Sequence, residues 1–215
     1  ADGGILIVGD GGACLDSQTC TPKGPALWKV VRFTSTGILD SNFAASGVFS
    51  ADASGQAPQT TSAIALVSDA NGPHAMVFGN NGTFGAYADL NPNTGSNSGG
   101  IHNFMGNLYD PDTKGAAMAG FGDASPSAMI ATSDSSLVVV GRAQDDWHPE
   151  SPSSKLNSMF IARYTSSGGL DTTFAAGKGV RVLKRGDEAH SNDNAIAVHQ
   201  NTAGDFIVAG ESIWG

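Results

Sequence analysis

The stretch Trp28-Lys-Val-Val-Arg32-Phe-Thr-Ser-Thr-Gly37-Ile-Leu39-Asp40-Ser-Asn-Phe43 returns as Met159-Phe-Ile-Ala-Arg163-Tyr-Thr-Ser-Ser-Gly168-Gly-Leu170-Asp171-Thr-Thr-Phe174. Arg, Gly, Leu, Asp and Phe recur at a single offset of 131 residues with no gap. Such an offset reads as two copies of a unit of about 65 residues, the scale of stacked or radially arranged units rather than of one irregular core.

Three further series keep the period. Apolar runs that end in glycine occur at Ile5-Leu-Ile-Val-Gly9, Ala75-Met-Val-Phe-Gly79, Leu137-Val-Val-Val-Gly141 and Phe206-Ile-Val-Ala-Gly210. Ahead of the last three stand Ala-led runs, Ala63-Ile-Ala-Leu66, Ala128-Met-Ile-Ala131 and Ala195-Ile-Ala-Val198. Turn-forming stretches separate each pair: Ser68-Asp-Ala-Asn-Gly72, Ser133-Asp-Ser-Ser136 and Asn201-Thr-Ala-Gly204. Short β-branched runs bounded by Gly, Asn, Asp and Ser predict strands joined by hairpins. The unbroken Val138-Val-Val140 fits a strand buried on both faces, which need not alternate.

Each unit is thus predicted to hold four antiparallel strands, in the clearest copy roughly 127–133, 136–142, 158–165 and 178–183, the pattern of a β-propeller blade. The expected fold is all-β and β-propeller-like, with about three four-stranded blades. Units run over 1–60, 61–126 and 127–193 with a partial one at 194–215, all within one repeat domain. A β-sandwich or another stacked β-repeat would share the strand signals but not so regular a period. The chain opens on a second strand and closes just after another, so the expectation is an excerpt of a longer propeller, or open edges completed by another subunit.

These residues resemble a known family. Phe160–Phe174, Gly179-Val180, Asp193-Asn-Ala-Ile-Ala-Val198 and Asp205-Phe-Ile-Val-Ala-Gly210 are similar to the delta-60 repeat, a bacterial, mostly secreted or cell-surface, β-propeller-like repeat. The likeness is strongest over 159–210, good over 4–67 and poorest over 84–121, where Ala88-Asp89-Leu90-Asn91 stands in for Ala162-Arg163-Tyr164-Thr165. The resemblance implies a fold; the family has no common activity, so no catalytic residue is carried over.

The repeated charges have a scaffold reading. Arg32 and Arg163 each precede an aspartate, Asp40 and Asp171, by eight residues. Each pair is expected to clamp the turn between them, with Phe43 and Phe174 plugging the unit beneath. Residues that repeat answer repeated backbone needs, whereas sites tend to be unique.

Departures from the repeat are where a site is expected, because loops on a rigid scaffold carry function. The first copy inserts Asp10–Ala26, which holds Cys14 and Cys20; a disulfide pinning this loop is the preferred reading over a two-Cys metal site. The third copy inserts Arg142–Leu156, with Asp145-Asp146-Trp147-His148-Pro149-Glu150. Asp145, Asp146, His148 and Glu150 offer cation ligands and Trp147 a stacking platform for a sugar; the competing reading is an exposed polar loop. In a propeller both insertions would share one face. Residues 91–100 read as a low-complexity surface loop.

Catalytic motifs find no support. Asp110-Pro-Asp112-Thr-Lys114-Gly115 starts like a calcium loop, but Lys114 stands where Asp or Asn belongs and Phe121 where the closing Glu belongs. No cofactor is expected, with a looser structural Ca²⁺ site as the one exception the pattern leaves open. Gly95-Ser-Asn-Ser-Gly99 places Asn97 where a nucleophile elbow needs Ser. The formal charge of −9 argues against nucleic acid and anionic membranes. The expected function is a non-catalytic module, secreted, cell-surface or periplasmic, that binds protein or glycan or builds a surface scaffold. Its expected partners are the remaining blades of its own chain or another subunit. The alternative is part of a secreted enzyme whose site is completed by further blades or a partner.

Overall fold

The computed structural model describes residues 2–11, 27–51, 60–80, 85–103, 125–145, 156–183 and 191–214. Among them the chain is all-β, with no helix. Strands β1 (Ile5–Gly11), β2 (Leu27–Phe33) and β3 (Val48–Ala51) form the first sheet. The second holds β4 (Thr60–Asp69), β5 (Gly72–Asn80), β6 (Gly85–Leu90) and β7 (Asn97–Asn103). The third holds β8 (Ser125–Ala131), β9 (Leu137–Asp145), β10 (Leu156–Tyr164) and β11 (Val180–Leu183). In the fourth, β12 (Ser191–Gln200) pairs with β13 (Phe206–Trp214). Each sheet is an antiparallel meander in chain order, and none closes on itself among the described residues.

The repeated sequence makes a repeated turn. Thr34 N–H donates to Ile38 O, and Thr165 N–H to Gly169 O, both at 2.8 Å. Gly37 and Gly168 take φ of 80° and 82° in these turns, a left-handed conformation that favours glycine. The chain then returns, with Asp40 N–H on Arg32 O and Asp171 N–H on Arg163 O. The side chains of Asp40 and Asp171 accept from the amides two residues on, Asn42 and Thr173, closing a second turn. Phe43 and Phe174 donate back to those aspartates' carbonyls, and Phe43 is fully buried.

The recurring glycines have a backbone reason. The first strand of each complete hairpin is bulged, between Thr61/Ala63 in β4, Pro126/Ala128 in β8 and Ala195/Ala197 in β12. Gly79, Gly141 and Gly210 lie opposite. A Cβ there would stand 2.1, 2.1 and 2.4 Å from the carbonyl oxygens of Thr60, Ser125 and Asn194. Glycine in a strand often marks such a bulge or close approach. This register corrects the sequence alignment of the Ala-led runs: Ala197, not Ala195, occupies the position equivalent to Ala63 and Ala128.

The sheets pack in chain order, first on second, second on third, third on fourth. In β5, Ala75 and Val77 face the first sheet while Met76 and Phe78 face the third. In β9, Leu137 and Val139 face the second sheet and Val138 and Val140 the fourth. All four β9 residues are fully buried, as the unbroken apolar run predicts. Each such side chain contributes about 1.5–3 kcal/mol of burial free energy. Trp28 of β2 and Met159 of β10, one repeat offset apart, each sit on the bulge glycine of the following sheet, Gly79 and Gly210.

Two expectations change. Residues 91–100 are not one surface loop. Asn91 Oδ1 accepts from the amides of Asn93 and Thr94, which folds a tight turn and lets 97–103 add to the second sheet as β7. The third-copy insertion is also shorter than expected. The β9–β10 ladder runs to Asp145 opposite Leu156, so Asp145 ends a strand.

Candidate functional site

The sequence candidates fall mainly outside the described residues. Asp146, Trp147, His148 and Glu150 lie there, as do Cys14, Cys20 and the stretch Asp110–Gly115. Asp145 is placed only as the last residue of β9. Both repeat pairs, by contrast, come together as expected, and each gains a third member.

Arg32 projects from β2 and is almost wholly buried. Its Nη1 donates to Asp40 Oδ2 and its Nη2 to Asp2 Oδ2. Arg163 on β10 repeats this with Asp134, to which Nη2 donates, and Asp171, whose Oδ2 lies 3.2 Å from Nε. Asp2 and Asp134 occupy the same place, three residues before the second strand of their units. The Gly4 amide, and after it the Arg32 guanidinium, holds the Asp2 carboxyl below the usual range. Asp134 is drawn down to about 2, first by the Thr132 hydroxyl, then by the Ser136 amide and hydroxyl and the Arg163 charge.

The second sheet carries the same bridge with its polarity exchanged. Asp89 on β6 stands where the repeat places Arg32 and Arg163, and the cation comes from His74 on neighbouring β5. His74 Nε2 lies 2.9 Å from Asp69 Oδ1, and Nδ1 lies 3.0 Å from Asp89 Oδ1. Asp69 belongs to the turn that corresponds to that of Asp134. Carboxylates at both ring nitrogens favour the imidazolium, and they raise the His74 pKa, Asp69 chiefly and Asp89 after it. Sequence reasoning missed this cluster. The signal present was the aspartate that precedes the second strand in three units, Asp2, Asp69 and Asp134.

No protein-family model matches the chain, and no curated protein matches it.

Asp2 and Arg32 of the first bridge line a cleft of about 750 Å³. The first sheet contributes Asp2 to Gly4, Leu6 and Arg32. The second contributes Leu66 to Ser68, Pro73, Pro92 and Asn93, and the third contributes Thr132 and Ser135. The turns that open the second strand in three successive units thus converge on one concavity, within the volume range of small-ligand sites. Leu66 is 56% exposed here, an apolar surface beside hydroxyls, an amide and the Asp2 carboxylate. The Arg32 charge is already met by two carboxylates, so the wall is suited to uncharged polar groups. Among the described residues, no three His, Cys, Asp or Glu are grouped to hold a metal.

Proposed function

We propose that this chain is a non-catalytic, propeller-type module of the delta-60 kind, acting outside the cell as a binding scaffold, with the cleft as its recognition surface. The observation that carries the reading is the convergence of turns from three consecutive sheets on one concavity. The propeller arrangement is supported by four sheets packed in chain order that use equivalent strand positions toward the sheet before and the sheet after. The apolar and hydroxyl lining fits a neutral glycan or an uncharged peptide turn. The outer isoleucines of the end sheets, Ile5, Ile7 and Ile207, are 51–57% exposed and suit cover by further repeat sheets, of the same chain or another. The acidic charge and the resemblance together support an extracellular or periplasmic setting.

Screening the protein against neutral oligosaccharide and peptide arrays, beside a Ser68→Trp variant that fills the cleft, tests the reading. The expected result is a ligand bound by the parent and lost in the variant. A ligand held equally by both would remove the cleft from consideration, and no ligand at all would sink the recognition role.

A further inference from the structure

The first sheet differs from the other three at one edge. In those, the strand that ends its apolar run in glycine is flanked by a bulged first strand: β5 by β4, β9 by β8, β13 by β12. Gly79, Gly141 and Gly210 are crowded there by the carbonyl of the bulged strand. β1 is the same kind of strand. It pairs with β2 along one edge, and Asp2 ahead of it bonds Arg32 as Asp134 ahead of β9 bonds Arg163. It also keeps the glycine, Gly9. Yet among the described residues a Cβ on Gly9 would meet nothing within 4 Å, and no described strand lies on that edge of β1. Nothing among the described residues thus requires a glycine at this position.

We propose that this edge of β1, unpaired among the described residues, is a docking site for one extended strand of the repeat's own first-strand type, added antiparallel with its bulge against Gly9. The occupant is defined by chemistry the molecule displays three times. It carries a short polar start, a bulge, then alanine opposite the residue before the glycine: Ala63 on Phe78, Ala128 on Val140, Ala197 on Ala209. Such strand addition draws affinity from main-chain hydrogen bonds and specificity from alternate side chains. The neighbouring sheet offers a second contact. β4 packs against β8 and β8 against β12, so a strand beside β1 would lie against β4 by the same spacing. The inference rests on the register shared by the sheets and not on the cleft, so either can fail alone.

The probe is a fluorescent peptide of the β12 sequence, Ser191 to Gln200, titrated into the whole chain and followed by anisotropy. Saturable binding is expected, with none for a scrambled peptide. Gly9→Val places a side chain in the path of the bulge and should weaken binding by at least about tenfold, with an unchanged melting temperature. Hydrogen exchange on the parent chain provides a readout independent of any variant: β1 amides should slow when peptide is added. An absence of saturable binding, equal binding to Gly9→Val, or unaltered β1 exchange would each overturn the proposal.

Discussion

The second and third sheets are built on one pattern and differ in what holds it. Both have four strands, a bulged first strand and a glycine opposite the bulge. In the third sheet the bridge between turn and strand is Arg163 with Asp134 and Asp171. In the second it is His74 with Asp69 and Asp89. The unit therefore needs a cation between carboxylates at this place, and it does not need arginine. What the exchange alters is when the charge is present. Arginine is always charged, whereas histidine changes charge between about pH 5 and 8.

What the two sheets share should fail alike. Valine at Gly141 or at Gly79 would put Cβ 2.1 Å from a backbone oxygen that the bulge holds in place. Each substitution should cost more than about 4 kcal/mol, seen as loss of the cooperative urea transition or of soluble protein. A mild effect of either would show that the bulge yields. The next largest effect separates the sheets. Phe160 on β10 is fully buried, while Ala86 stands at its place in β6. Phe160→Ala should cost about 3–5 kcal/mol by urea denaturation. Ala86→Gly lacks a comparable side chain to lose and should cost about 1 kcal/mol.

Strands and turns were legible because they rest on local chemistry. Val138 to Val140 announced a doubly buried strand, and Arg32 with Asp40 a clamp across the turn between them. The glycine at the end of each apolar run was visible, but its cause, a carbonyl on the neighbouring bulged strand, was not. Residues 91–100 looked like one loop because Asn, Ser and Gly dominate them, and the Asn91 turn, which lets the chain from 97 onward join the second sheet, overrode that composition. The second bridge escaped because its cation moved from the strand of Asp89 to the strand of His74. Only a pairing register brings those positions together. The cleft escaped for the same reason, since its lining comes from three units distant in sequence.

The bridge in the third sheet should make a modest, steady contribution. Arg163 is partly exposed and Asp134 largely so. Arg163→Gln should therefore cost about 1 kcal/mol, with little change between about pH 5 and 9. Asp134, held at about 2, keeps its share above the ordinary carboxylate range and loses it only as pH falls through that value. A marked loss of the Arg163 contribution near neutral pH would contradict a permanent clamp.

The smallest effect is the one that distinguishes the bridges most sharply. The His74 pKa is raised, chiefly by Asp69 and then by Asp89, from an ordinary value of about 6.5. Its contribution to stability is whole below about 6.5 and is lost as pH rises through the elevated folded value. On the other side, Asp69 is held low by His74 and the Asn71 amide, so its share fades only in acid. Urea midpoints should thus fall between about pH 5.5 and 8.5 in the parent, with a shallower fall in His74→Gln. NMR titration of the His74 ring reads the cause directly. A midpoint above about 6.5 supports a bridge that gives way in base where its counterpart gives way in acid. A midpoint at or below that value would make the two bridges different in composition alone.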